Sequence, residues 1–371
     1  MVLKIAFVLH NLDIGGAERL TVELSRELSS LGCQCEIITV LGTGPLKTLI
    51  PSGVALQPYR FFPSGHLGKL FSFLFGPVFF VTGLVRLSLH LRRSRPDVLQ
   101  TSLWMGDILG VLSGRLAGVR AIISVQHDVI RSAARRKKFA LKWATKVVAI
   151  SKAVETFLKD ELRVPSEKIV TIHNGIDPDF FVSCRRPTRY PPRLAVIGRL
   201  HPLKGQRVLL EALAILKSDP PISCFLIGSG PDEPYLRRRI SELKVENVKI
   251  LPPTTDIRPA LQESDVVVAP SLTEGLGLSL LEAMAAEKVI VASRVGGITD
   301  LLIDRVNALL VPPNDPIALC QALSFILKNP REAVLMARNA HQSLLDRPEF
   351  TLKGMSIRYL ALYKDLVGSK T

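Results

Sequence analysis

Apolar and polar positions alternate between two rhythms along this chain. Short apolar runs recur, each followed by a stretch whose apolar residues lie three or four apart. KIAFVL, Lys4–Leu9, reads as a buried strand. In the following GGAERLTVELSRELSSLG, Leu20, Leu24, Leu28 and Leu31 share one helical face. CEIITV, DVLQTS and AIISVQ continue the strand rhythm, with a helix predicted from about Asp107 to Ala117. A basic helix carrying Arg135, Arg136, Lys137 and Lys138 comes next, then the strands KVVAIS and KIVTIH. Repeated strand–helix order implies a parallel sheet covered by helices on both faces.

The rhythm breaks near Ser183. CRRPTRYPPR holds four arginines and three prolines between two strand-like runs, which predicts a linker. The pattern then restarts with RLAVIG, a helix from Gly205 to Lys217, CFLIG, and a helix near Tyr235–Lys244. VKIL, DVVVAP, a helix from Leu278 to Glu287, VIVAS and ALLVP follow, and residues from Asp315 to Thr371 look all helical. The expectation is two doubly wound α/β domains, 1–182 and 183–353, facing a central cleft. A helix over 354–371 is expected to cross back to the first. Ligands of such sheets sit beyond the carboxyl ends of the strands.

Charge narrows the choice of partner. The 371 residues carry 48 Lys and Arg against 33 Asp and Glu. Fifteen of the basic and three of the acidic residues fall between Arg60 and Lys146. Such a field suits an anionic partner. No nucleic-acid-binding module accompanies it, so a lipid surface or a phosphorylated substrate is expected instead. The five cysteines form no CxxC pair and read as buried, reduced thiols in a cytosol. The apolar start, Ile5–Leu9, is too short for a secretory signal. LFSFLFGPVFFVTGLV, Leu70–Val85, falls short of the ~20 residues of a spanning helix and contains Gly76 and Pro77. It reads as a helix lying on or dipping into a membrane, with a kinked core helix as the alternative.

Three strand-to-helix junctions carry candidate chemistry. Gly15 and Gly16 precede the first long helix, where backbone N–H groups favour an anion. Gly198-Arg199-Leu200-His201-Pro202-Leu203-Lys204-Gly205 places two cations beside another helix start, suited to a diphosphate. Glu274-Gly275-Leu276-Gly277-Leu278 opens a third helix, with Glu282 further along it. A loop carboxylate accepts hydrogen bonds from sugar hydroxyls, and one further along could clasp a ribose diol.

With these residues in view, the chain resembles the retaining glycosyltransferases of family 4, which have the GT-B fold of two Rossmann-like domains. The resemblance spans nearly the whole length. It rests on GGAE at Gly15–Glu18, HNGID at His173–Asp177, GRL with KG at Gly198–Leu200 and Lys204–Gly205, GSGP at Gly228–Pro231, and E-x7-E from Glu274 to Glu282. It implies that Gly16 gives an N–H to the donor's diphosphate and that Arg199 and Lys204 hold it. Glu274 would contact the donor sugar, Glu282 the ribose, and His127 the sugar from the first domain. The remaining donor-side positions are Gly15, Gly198, Gly275, Leu276, Gly277 and Leu278. No metal or other cofactor is expected, although Asp177-Pro178-Asp179 matches the DxD pattern that holds a metal in the other glycosyltransferase fold. The chain departs from the family at Glu287-Lys288, where Gly and Pro are usual, at Thr299-Asp300 and at Asn307-Ala308.

The expected function is transfer of a sugar from a nucleotide-sugar to a hydroxyl of a membrane-surface glycolipid, lipopolysaccharide or lipid-linked saccharide. The expected location is the cytoplasmic face of a membrane, on anionic lipid. A nucleotide-sugar epimerase or hydrolase and a non-catalytic membrane adaptor are the alternatives.

Overall fold

The computed structural model describes residues 2–62, 65–129, 134–185, 189–216 and 221–368. The chain divides into two units, Met1–His173 with Leu352–Thr371, and Asn174–Thr351.

The first unit is built on a seven-stranded parallel sheet. Its strands are β1 (Lys4–Leu9), β2 (Gln34–Thr39), β3 (Val54–Pro58), β4 (Val98–Ser102), β5 (Ala121–Gln126), β6 (Lys146–Ala149) and β7 (Ile169–Thr171). Their order is β3-β2-β1-β4-β5-β6-β7. Ile5 pairs with Cys35 on one side and Val98 on the other, so the chain winds outward in both directions from β1 and β4. β3 was not singled out by the apolar pattern: only Val54 of its five residues is buried.

Five helices of this unit are α1 (Gly16–Ser30), α2 (Gly65–Ser94), α3 (Trp104–Ala117), α4 (Ala134–Trp143) and α5 (Lys152–Asp160). α1 buries Leu20, Leu24 and Leu28. Leu31, expected on the same face, is its C-cap and half exposed. α2 runs unbroken through Gly76 and Pro77. From residue 78 onward it is two-faced. Leu87 and Leu91 enter the core beside Phe61 and Leu109, whereas Val78, Val81, Val85 and Leu89 are exposed. Among the described residues no helix is long and apolar enough to cross a membrane. Residues 70–75 of the apolar run, and Arg135, Arg136 and Lys137 of the basic helix, have side chains outside the described set.

α3 starts at Trp104, ahead of the expected Asp107, and a glycine stripe lets it lie close on the sheet. A Cβ on Gly106 would stand 2.9 Å from the Val8 carbonyl oxygen, on Gly110 2.6 Å from Thr101 Cγ2, and on Gly114 2.5 Å from Leu99 Cδ2. At four-residue spacing these glycines share one helical face.

The second unit has a six-stranded parallel sheet. Its strands are β8 (Leu194–Ile197), β9 (Cys224–Ile227), β10 (Val248–Leu251), β11 (Val266–Ala269), β12 (Val289–Ser293) and β13 (Leu309–Val311), in the order β10-β9-β8-β11-β12-β13. Its helices are α6 (Gln206–Leu216), α7 (Glu233–Glu242), α8 (Arg258–Glu263), α9 (Leu278–Ala285), α10 (Ile298–Leu301), α11 (Pro316–Lys328) and α12 (Pro330–Leu345). Both units are therefore Rossmann-like, with a topological switch between the first and fourth strands of each sheet. Lys217, the expected end of α6, lies outside the described residues.

The expected boundary at 182/183 moves to 173/174. The 3-10 turn Pro178–Cys184 belongs to the second unit because its end is tied there. The Ser183 carbonyl accepts from Gln262 Nε2 at 3.3 Å, and Arg185 Nε donates to the Ala285 carbonyl at 3.2 Å. Residues 186–188 of the expected linker lie outside the described set. The last helix, α13 (Leu352–Gly368), belongs to the first unit. It packs on α1, buries Tyr359 and Tyr363, and Tyr363 Oη donates to Gln100 Oε1 of β4 at 2.5 Å.

Candidate active site

In the second unit the loops leaving β8, β9 and β11 interlock at the carboxyl end of the sheet. The Leu200 amide donates to the Ser229 carbonyl at 2.9 Å, and the Leu272 amide to the Leu203 carbonyl at 2.8 Å. Gly205 turns at φ +66°, and a Cβ there would fall on the Pro270 carbonyl oxygen, so only glycine allows the two loops to touch. His201 caps the short turn between them, its Nδ1 accepting from the Leu203 amide at 3.2 Å.

This stitching brings Lys204 and Glu274 together. Lys204 Nζ donates to Glu274 Oε2 at 2.6 Å, and Ser271 Oγ reaches the same oxygen at 3.2 Å. The Lys204 side chain keeps 34% of its exposure and the Glu274 side chain 15%, so both remain within reach of a ligand. A charge-assisted bond of this kind is stronger than one between neutral groups. Gly296 closes the arrangement behind Glu274. It turns at φ +51°, where a Cβ would fall on the Glu274 carbonyl oxygen, and that oxygen accepts from the Gly297 amide at 3.1 Å.

Arg199 stands exposed directly after Gly198. Gly275 and Leu276 are buried, and Gly277 is the N-cap of α9 at φ +94°. The first N–H groups of a helix, here from Leu278 onward, have no intrahelical acceptor. Glu282 lies in the second turn of α9 and is 3% exposed. The departure at Glu287 has a visible cost: the residue adopts φ +51° in the left-handed position that ends α9, where glycine is the unstrained choice. The helix end keeps its bonds, Glu287 amide to Met284 carbonyl at 3.2 Å and Lys288 amide to Ala283 carbonyl at 2.9 Å. Asn307 serves its own turn, its Oδ1 accepting from the Ile303 amide at 2.7 Å.

In the first unit, Gly15 is the N-cap of α1 and Gly16 its first residue. The space a Gly15 side chain would fill is taken by the Glu18 carboxylate, a placement typical of a helix-capping acid. His127 and Asp128 follow β5 directly and are partly buried. Asp177 accepts from the Asp179 amide at 3.0 Å and so caps its own turn.

Four features escaped the motif reading. Gln206, 1% exposed, donates from Nε2 to the Arg199 carbonyl at 2.9 Å and fixes the backbone that carries the guanidinium. Ser271 supports Glu274. In the first unit, Asp107 is 3% exposed and accepts from Thr101 Oγ1 at 2.7 Å, Ser124 Oγ at 2.6 Å and Gln126 Nε2 at 2.9 Å. His10 accepts the Met105 amide at Nε2 over 2.6 Å, and burial pulls its pKa down to about 4. The available signal was a polar residue at or just beyond the end of an apolar run, as in DVVVAPS and KIAFVLH.

Comparison with known proteins bears on the family and the fold. The family model described as Glycosyltransferase Family 4 matches residues 14–180, and that described as Glycosyl transferases group 1 matches residues 191–329. The D-inositol 3-phosphate glycosyltransferase of Salinispora tropica is 27% identical, covering 89% of this chain and 77% of its own. A protein of the same name from Catenulispora acidiphila is 28% identical, covering 88% and 85%. Among solved structures, Anabaena HepE with UDP and glucose superposes with a TM-score of 0.82 at 21% identity, over 97% of this chain and 99% of that one. Sucrose-phosphate synthase from Thermosynechococcus elongatus gives 0.81 at 19% identity, over 99% and 100%.

Proposed function

As this chain belongs to the group 1, family 4 glycosyltransferases, we propose that it moves a sugar from a nucleoside-diphosphate sugar to a hydroxyl at a membrane surface, with retention at the anomeric carbon. The Lys204–Glu274 pair at the carboxyl end of the second sheet, with an exposed Arg199 on the loop that carries Lys204, is the observation that carries this reading. A sugar hydroxyl can accept from an ammonium and donate to a carboxylate at once. The same cation and Arg199 offset the charge that grows on the departing diphosphate. Glu282 takes the ribose, and Gly198 and the 275–278 backbone serve the diphosphate; Gly15 and Gly16 are assigned a donor role by family position alone. His127 is assigned to the sugar by its family position.

The bond from the anomeric carbon to the phosphate oxygen breaks as the acceptor oxygen bonds to that carbon on the same face. The acceptor's proton passes to the departing phosphate, so no protein nucleophile is required. Charge compensation by Arg199 and Lys204 makes a metal unnecessary in this scheme. Support for the membrane half comes from the exposed stripe Val78, Val81, Val85 and Leu89 on α2, flanked by exposed Arg86 and Arg93. A second reading takes a soluble phosphorylated cyclitol as acceptor, because the relatives named above are inositol-phosphate enzymes.

A panel of UDP-, GDP- and ADP-sugars tests the donor half, scored by calorimetry and by release of nucleoside diphosphate with EDTA present. UDP-sugars lead the panel because HepE was crystallised with UDP-glucose. Lys204→Ala and Glu274→Ala should each lower turnover by about 100-fold or more while circular dichroism stays unchanged. Turnover equal to wild type would remove the site. Nucleoside diphosphate released equally with and without acceptor would mark a hydrolase.

A further inference from the structure

We propose that Trp104 is the platform on which the ring of the acceptor, a pyranose or a cyclitol, rests. The inference builds on the transferase reading above and assigns a binding residue that reading leaves open. It concerns the first unit alone.

Position comes first. β1 and β4 are neighbours, with Val8 paired to Thr101, and the chain leaves them toward opposite edges of the sheet. In doubly wound sheets the crevice for ligands opens beyond the carboxyl ends of such a strand pair. His10 follows the last residue of β1, and Trp104 follows β4 after a single intervening residue. The two rings meet edge to face, with centroids 5.9 Å apart and planes at 88°.

Exposure and constraint then point the same way. Trp104 is 42% exposed although it opens a helix whose following turns are largely buried. An indole that served only the core would be covered. Yet the backbone under it is held firmly. Leu103 sits at φ +67°, ψ 149°, a region that residues with a side chain rarely occupy. Three restraints maintain it. The Met105 amide is bound by His10 at 2.6 Å, Gly106 packs so close that a Cβ would stand 2.9 Å from the Val8 carbonyl oxygen, and Asp107 is fastened to β4 and β5 by three side chains. The His10 ring nitrogen can accept that amide only while unprotonated, so the proton of the neutral ring is on Nδ1. Strain held by surrounding contacts, under a large exposed aromatic ring, is the arrangement expected of a preorganised ligand surface.

The chemistry selects the ligand class. One face of a pyranose or cyclitol presents a patch of C–H groups of slight positive character, and an indole face is its electron-rich complement. The ring hydroxyls stay at the rim, where polar groups reach them. A linear polyol has no such face.

The chain has two tryptophans, so Trp143→Phe leaves Trp104 as the only indole emitter. That variant, with UDP present, is titrated with methyl α-D-glucopyranoside, with D-myo-inositol 3-phosphate, with glycerol and with anionic vesicles. At least one ring-bearing probe should shift the emission saturably and glycerol should not. The response should vanish when Trp104→Phe is added. In turnover, Trp104→Ala should raise the KM of the ring-bearing acceptor about 3- to 10-fold, leaving kcat and donor KM in place, with Trp104→Tyr restoring most of the loss. Silence toward both ring probes, with UDP binding intact by calorimetry, overturns the platform alone. Emission that answers only to vesicles overturns it in favour of a lipid contact. Wild type that binds none of UDP, GDP and ADP by calorimetry overturns the donor reading and the platform with it.

Discussion

His10 shows how a single side chain ties packing to pH. Its folded pKa of about 4 lies below the ordinary 6.5 of histidine because burial disfavours the charged ring. The unfolded chain therefore takes up a proton at a pH where the folded one does not. The stabilisation is complete above 6.5, declines as pH falls toward 4, and levels off below. Over that window it amounts to about 3 kcal/mol. Urea unfolding at pH 7 and pH 4.5 should show wild type losing more stability than His10→Gln. Equal losses would mean that the ring titrates normally. The motif reading passed over His10 because its partner, the Met105 amide, lies far along the chain. It found Arg199, Lys204 and Glu274 because each sits at a junction where an apolar run ends and a helical rhythm begins. The Lys204–Glu274 contact itself was not legible, since it depends on two loops meeting.

At the scale of the element, α2 departs furthest from its local signals. Gly76 and Pro77 lie inside a helix that continues past both. Leu87 and Leu91 face the core, and Leu89 joins the outward stripe. If that stripe meets lipid, replacing Val78, Val81 and Val85 with serine should weaken sedimentation with anionic vesicles roughly 10- to 100-fold. High salt should weaken it further by screening Arg86 and Arg93. Wild-type protein that ignores anionic vesicles at low salt would turn the acceptor reading to the soluble cyclitol. α3 illustrates the opposite case. Gly106, Gly110 and Gly114 look like helix breakers, but their spacing is what lets the helix approach the sheet.

For the whole molecule, the two doubly wound units follow from the repeated strand–helix rhythm, which covers almost all of the chain. The place of α13 rests instead on a few side chains. Tyr363 bonds Gln100 on β4, and Tyr359, Tyr363 and Met355 are buried in the first unit although they lie at the far end of the sequence. Tyr363→Phe leaves a buried amide oxygen without its donor, at a cost of about 1–3 kcal/mol. Hydrogen–deuterium exchange should then speed up in α13, α1 and β4 and remain unchanged in β8–β13. Acceleration in the second sheet would show that α13 supports both units.

The sequence by itself determined the class of fold, the strand-end junctions and the residue types gathered there. These depend on local periodicity and on glycine, proline and charge at short spacing. Only the tertiary structure decided that Lys204 meets Glu274, that Glu18 fills the space beside Gly15, that the chain leaves the first unit after His173, and that Trp104 stands exposed on a strained turn. Each of those outcomes is set by atoms from separate segments sharing one volume, and no local pattern encodes which segments will share it.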